Sequence, residues 1–348
     1  MNYRTLRAVH DPAMSAKITR RLPLAYLEGS SAPADRPPFV LAASGLAMLG
    51  EHLFVVQDNA NWLAVVHPDE TVTALPLPRH WSGVRIFNEE RQNTDQKFDL
   101  EACVVMQSAD GPELVGFGSG TGESSCWILR VTGADQAIGH PSEHSGAYGA
   151  HFLDAAVFYQ SLRDDAGFSG GRLNIEGATA IDAERILVLQ RGDASESEGD
   201  PVDATGEVSW PALIAHLADP SSVPPPQMEN VTRYELGQLN GVRLTFSDAE
   251  YLGDGRILFS GSAEKLDGSV SGSVIGLIDG ARHARWTEIS SEDGSPFRSK
   301  IEGLSLAAGK PGTIRFVIDD DDETAPSEMF EAVFPAICVS AEAPTTSS

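Results

Sequence analysis

The chain has 348 residues, with 50 acidic against 25 basic side chains and a formal net charge of −25 at pH 7. Such a surface repels nucleic acid and anionic membrane, so neither is expected as a partner, and it draws cations instead. Hydrophobic residues make up 41%, enough for a full core, while 33 glycines and 21 prolines suit short strands and tight turns better than long helices.

The first 29 residues lack the apolar stretch of a signal peptide, and no later run approaches the roughly 20 apolar residues of a membrane span. A cytoplasmic location is the expectation. Residues 1–43 carry no repeat and are expected to close the ring that the following repeats build.

Five segments then share one pattern: an acid or glycine, an apolar strand, a turn, and a second apolar strand ending in polar residues. They run from Ser44 to Asn59, Asp99 to Gly120, Asn174 to Gly192, Ser247 to Glu264 and Lys300 to Asp322. Apolar and β-branched runs around Gly-Glu, Asp-Gly or Gly-Lys-Pro-Gly turns make each one a hairpin. Further strands are predicted at 61–66, 126–131, 270–278 and 329–334, giving three or four per unit. That is the content of a propeller blade.

With Glu101, Glu176, Glu250 and Glu302 as markers, the intervals are 75, 74 and 52 residues. A four-stranded blade needs about 40–50 residues, so the two longer intervals hold insertions or an unmarked blade. The fold class is therefore all-β: a single β-propeller over 1–348, with five marked blades and room for a sixth. One short inserted helix is predicted from His151 to Leu162, where Phe152, Ala155, Ala156, Tyr159 and Leu162 share a face. The stretch 193–207 is predicted to be a mobile acidic loop, 224–226 another loop, and 340–348 a disordered tail. Cys103, Cys126 and Cys338 include no CxxC pair and are odd in number, which argues against a disulfide framework. Cys103 and Cys338 sit in apolar runs and are predicted core residues.

The motifs DLEA with GFGSG, NIEGA with LVLQRG, SDAE with SGSAE, and KIEGL with FVIDDDD occur in this order. Together they resemble an uncharacterised bacterial β-propeller family, distantly similar to phytase-like propellers with esterase-like activity. The resemblance spans about Ser44 to Phe334. It implies the propeller fold and a calcium-like site, without assigning ligands residue by residue.

The innermost strand of every blade lines the central channel, so a residue recurring at one place in each inner strand forms a ring. Glu101, Glu176, Glu250 and Glu302 occupy such places, and Asp99 and Asp248 lie two residues earlier on the same strand face. The first unit has Gly45 instead. Converging carboxylates repel one another and favour a bound cation. Oxygen ligands alone point to a hard ion, with Ca²⁺ the candidate cofactor. Glu101, Glu176, Glu250, Glu302, Asp99 and Asp248 are the metal-ligand candidates, Glu176 and Glu302 the catalytic ones, and Arg191 and Arg243 the substrate-binding ones. Asp58, Asn59 and Asp319 end second strands and are expected near an opposite rim. The same glutamates also suit a purely structural role, bonding backbone amides or pairing with Arg191 or Arg243 to hold blades together.

Other motifs favour bland readings. The run from Asp319 to Glu323 has Thr324 where an EF-hand needs glycine, which makes it a solvated turn. His140, Glu143, His144 and His151 match no zinc spacing. The glycine-rich GFGSGTG precedes a strand and not a helix, and no nucleophile elbow, P-loop or HExxH is present. Two functions stand side by side: a cation-dependent hydrolase of phosphoesters, lactones or esters, and a non-enzymatic propeller binding a small-molecule ligand or a protein.

Overall fold

The computed structural model describes residues 3–108, 110–134, 148–192, 201–253, 255–280, 283–320 and 322–338. Two N-terminal strands, β1 (Arg4–His10) and β2 (Ala16–Pro23), precede a first sheet of β3 (Ala43–Leu49), β4 (His52–Gln57), β5 (Trp62–Val66) and β6 (Val72–Pro76). The second sheet holds β7 (Leu100–Ser108), β8 (Gly111–Gly118), β9 (Trp127–Thr132) and β10 (Gly149–Asp154), followed by helices α1 (Ala156–Asp164) and α2 (Ala166–Ser169). In the third, β11 (Ile175–Ala180), β12 (Arg185–Gln190) and β13 (Asp203–Ser209) lead to helix α3 (Trp210–Ala218) and back to β14 (Glu229–Glu235). A two-residue pair, β15 (Gln238–Leu239) and β16 (Val242–Arg243), comes before the fourth sheet: β17 (Thr245–Gly253), β18 (Arg256–Glu264), β19 (Val270–Asp279) and β20 (His283–Ser290). The fifth contains β21 (Ile301–Leu306), β22 (Thr313–Ile318) and β23 (Glu328–Val333).

Neighbouring strands within each sheet are antiparallel and mostly joined by short turns, with α3 on the longer step from β13 to β14. The first strands pack on one another in a closed circle: β3 on β7, β7 on β11, β11 on β17, β17 on β21, and β21 on β3. Among the described residues this is a β-propeller of five four-stranded sheets. The fourth strand of the fifth sheet is β2, antiparallel to β23 from Lys17 opposite Val333 to Pro23 opposite Glu328. β1 lies parallel to β14 along one half and to β20 along the other, bridging the third and fourth sheets.

The core lies between neighbouring sheets, because each sheet is apolar on both faces. Phe117, Phe158 and Trp210 pack between the second and third sheets. Phe246, Phe259 and Trp286 fill the next gap, and Ile18, Leu258 and Phe316 the one after. Full burial of such a side chain contributes roughly 1.5–3 kcal/mol, so these layers dominate the adhesion between sheets.

Every inner strand loses register near its start: between Ala43 and Leu46, Leu100 and Ala102, Ile175 and Gly177, Phe246 and Asp248, and Ile301 and Leu304. A bulge at one place in all five strands leaves one or two residues unpaired and re-aims their side chains. Ser44, Glu101, Glu176, Ser247 and Glu302 occupy these bulges. The glycine that follows the bulged residue in three of the strands, Gly45, Gly177 and Gly303, has its own cause. A Cβ at Gly303 would stand 2.4 Å from the Ser44 carbonyl oxygen, and one at Gly45 would stand 2.8 Å from the Cys103 amide nitrogen. The inner strands approach too closely there for any side chain.

Several expectations need correction. Residues 149–154 are strand and not helix, because they pair with β9 from Gly149 opposite Thr132 to Asp154 opposite Trp127; the helix begins at Ala156. The expected acidic loop 193–207 ends early, since Asp203–Ser209 is ladder between β12 and β14. Among the described residues three helices stand where a single one was expected, with the last opened by the Ser209 cap and Pro211 in its first turn. Cys338 is exposed, whereas Cys103 and Cys126 are buried. The long intervals hold the three helices and the β15–β16 pair, with no sixth sheet among the described residues. Residues 193–200, 340–348, His140, Glu143 and His144 lie outside the described residues. No described helix is long and apolar enough to cross a membrane.

Candidate functional site

The bulges open on one mouth of the channel. An antiparallel hairpin returns the end of its second strand to the start of its first: Gln57 faces Ala43, Gln190 faces Ile175 and Ile318 faces Ile301. Asp58, Arg191 and Asp319 therefore lie at the mouth of the bulged acids. Asp58, Asn59 and Asp319 are not on an opposite rim; they line a cavity of about 620 Å³ together with Lys97, Asn88 and Glu89.

Two charged arcs meet there. In the first, the Lys97 ammonium lies 2.5 Å from Asp58 Oδ2 and 2.9 Å from Asp99 Oδ1. Oxygens of Asp58, Asp99 and Glu101 all fall within 4.8 Å of one another. Asp99 has a left-handed backbone, φ 57°, which an Asp adopts at some cost. Its Oδ2 accepts from the Ser119 hydroxyl. In the second arc, Arg191 donates to Glu176 Oε1 at 3.1 Å and to Glu264 Oε2 at 2.7 Å. Lys300 Nζ lies 2.9 Å from Glu302 Oε1 and 3.8 Å from Glu264 Oε2. Asn174 adds a 2.8 Å hydrogen bond to Glu176.

These two arcs set three bases against six carboxylates. Each sheet contributes at least one acid, because Asp58 and Glu264, at or beyond the ends of second strands, stand in for Ser44 and Ser247. Burial works against the charge on Lys97, Arg191 and Lys300, but the facing carboxylates outweigh it and hold all three protonated. Lys97 holds Asp99 below the usual carboxylate range, although burial alone would raise it. Asp58 is raised, by burial first and by Asp99. Burial also raises Glu302, with Lys300 opposing.

Glu101 is the unbalanced member. No donor or base among the described residues bonds its carboxylate. Burial, followed by the charges of Asp58, Glu176, Asp99 and Glu302, pushes it well above the usual range. Beside it, Asp58 Oδ1 is buried with no hydrogen-bond partner. A group of carboxylates that cannot all be ionised against one ammonium must hold a proton or a cation.

The structure thus gathers Asp99, Glu101, Glu176, Glu302 and Arg191 as a group and leaves three sequence candidates apart. Glu250 lies five residues along β17 from its start, deeper in the channel, where burial pushes it up to about 7. Asp248 accepts the backbone amides of Ala249 and Leu304, each at 2.7 Å, and ties β17 to β21. Arg243 is engaged by Asp203 Oδ2 at 2.7 Å and the Pro201 carbonyl at 2.9 Å. Sequence reasoning left out Lys97, Lys300 and Glu264. The two lysines were visible in principle, each standing two residues before an acid at the start of an inner strand. In the run after Ile318, Asp322 Oδ1 accepts from Thr324, closing a turn.

The model of a family of unknown function, DUF6929, matches residues 40–334. The chain belongs to that family. No curated protein matches this DUF6929 chain. Solved structures resemble it distantly. A GH43 β-1,3-galactosidase is 8% identical, with 89% of this chain and 58% of that one covered and a TM-score of 0.45. An α-L-arabinanase of Cellvibrio cellulosa is 10% identical, covers 84% and 91%, and has a TM-score of 0.42. A gluconolactonase of Xanthomonas campestris is 11% identical, covers 91% and 98%, and has a TM-score of 0.36. Likeness at this level carries no information about the reaction of the DUF6929 chain.

Proposed function

We propose that this protein is a cation-assisted hydrolase acting at the mouth of its channel. The observation that carries the reading is Glu101, a carboxylate without a base, facing Asp58 and Asp99 beside the orphaned Asp58 Oδ1. The donor set is oxygen only, which fits a hard divalent ion such as Ca²⁺ and suits no thiophilic one. Asp58, Asp99 and Glu101 would hold it. Asp248 and Glu250 drop out of the ligand set, because one is engaged by backbone and the other lies deeper.

When bound, such an ion supplies a Lewis acid for a phosphoryl or carbonyl oxygen. Glu302, raised by burial, takes a proton from the attacking water as general base. Arg191 and Lys300, on the neighbouring arc, are the groups to anchor an anionic substrate group. Phosphoesters, lactones and simple esters are the substrate classes to test.

A second reading is favoured for part of the site. Arg191 and Lys300 already pair with Glu176, Glu264 and Glu302, and these pairs tie the third, fourth and fifth sheets together. Under that reading the protein binds a ligand without chemistry.

The test is a thermal melt of metal-stripped protein with Ca²⁺, Mg²⁺ or Mn²⁺. At a hundredfold excess over Kd, binding stabilises by about 2.7 kcal/mol, a rise of several degrees. Glu101→Gln should abolish it. The amide also removes a repelling charge, so the metal-free variant should melt no lower than the native chain. No shift with any of the three ions sinks the cation site. A shift without turnover of phosphoester, lactone or ester probes leaves the binding reading in place.

A further inference from the structure

At the far end of the propeller from the charged mouth, the third and fourth sheets part. β11 starts at the mouth with Ile175, so Ile181 and the turn to β12 lie at the other end, as does the turn after Gly253. The cleft there holds about 530 Å³. Leu6, Ile181, Leu187, Ile257 and Ile278 give it apolar walls.

Two polar features stand against those walls. The Thr205 and Tyr234 hydroxyls are 3.1 Å apart, on side chains only 3% and 6% exposed. Two hydroxyls hold two protons, and the bond between them uses one. The other O–H has no acceptor among the described residues, in a place where an unmade hydrogen bond is costly. The second feature is Arg4, on the same face of β1 as Leu6, since side chains alternate along a strand. Arg185 at the rim is engaged by Asp182 and Glu207, but Arg4 has no ion-pair partner among the described residues. Its charge bears on the Tyr234 hydroxyl.

We infer that this cleft is a second binding site, for a small organic anion with an apolar, flat body. The body lies between the aliphatic walls of the two sheets, and the anionic group faces Arg4. One of its oxygens, or another acceptor on the molecule, takes the free hydroxyl proton of the Thr205–Tyr234 pair. No residue of the channel mouth takes part, so the site stands whatever becomes of the cation reading.

The probe is 1-anilinonaphthalene-8-sulfonate, an aromatic anion that fluoresces in apolar surroundings. The native chain should bind it saturably at one site. Arg4→Gln should weaken binding about tenfold or more, with an unchanged melting temperature, since Arg4 is exposed and unpaired. Ile257→Trp, on the cleft face of β18, should remove binding by filling the cleft. The uncharged parent, N-phenyl-1-naphthylamine, should bind the native chain about as weakly as the sulfonate binds the Arg4→Gln variant. Unsaturable dye binding, equal affinity for Arg4→Gln and the native chain, or equal affinity for the two dyes would each overturn the inference.

Discussion

Glu250 offers the cleanest measurement of the channel interior. Its carboxyl is pushed by burial from an ordinary 4.5 up to about 7, with no base beside it. A carboxyl raised in this way binds its proton more tightly when folded. The stability it confers is present below the ordinary carboxylate range and is lost as pH rises through about 7. Integrating the linkage from about pH 5 to about pH 8.5 gives a loss of about 2.5 kcal/mol from this group alone. Glu250→Gln has nothing to titrate and should escape that loss. The neighbouring Asp248 and Cys103 are raised mainly by burial, which is common to both proteins and cancels; the smaller part that the Glu250 charge adds to each is counted with Glu250. Urea unfolding of both proteins at the two pH values gives the difference directly, provided the m-values agree. If the native chain and the variant differ equally at both pH values, the carboxylate is hydrated and the argument from burial fails.

Two further outcomes follow from the packing and the mouth. Gly303→Ala puts a methyl within 2.4 Å of a backbone oxygen on the adjacent inner strand, which cannot yield without widening the ring. It should destabilise by about 3 kcal/mol or more, and an unchanged urea midpoint would contradict the close approach. Arg191→Met leaves Glu176 and Glu264 without their shared base. The cost should be about 3–5 kcal/mol at neutral pH and smaller in acid, where the carboxylates take up protons. A loss that does not shrink as the pH falls would mean that the guanidinium acts by packing alone.

The repeat made the architecture legible. Apolar alternation and turn residues marked all five hairpins, and the Glu-Gly pairs of NIEGA and KIEGL marked where inner strands touch. The register of the site was only partly legible. Matching acid to acid aligned Glu250 with Glu101, but the bulge after Phe246 puts Ser247 at that place. A bulge adds a residue without changing composition, so alignment by residue type passes over it. The fate of Asp58 was an error of topology, since the ends of a hairpin return together. Helical spacing between Phe152 and Ala155 misled because pairing with β9 overrode it. The helix from Trp210 was announced by a serine followed by Trp-Pro and an apolar run, a signal that the acidic stretch before it masked.

The seam of the ring joins residues 17–23 to residues 328–333, almost the full length of the chain apart. On the ribosome, where synthesis runs at roughly 5–20 residues per second, the first strands wait on the order of 15–60 s for their partner. During that interval β2 has no partner in its own sheet and the fifth sheet does not exist. The edge of β23 is exposed from its synthesis until β2 docks, a template for any strand that arrives first. Arg20 and Arg21 on β2, set against Glu328 and Glu331 on β23, place charge along that seam and disfavour an uncharged intruder.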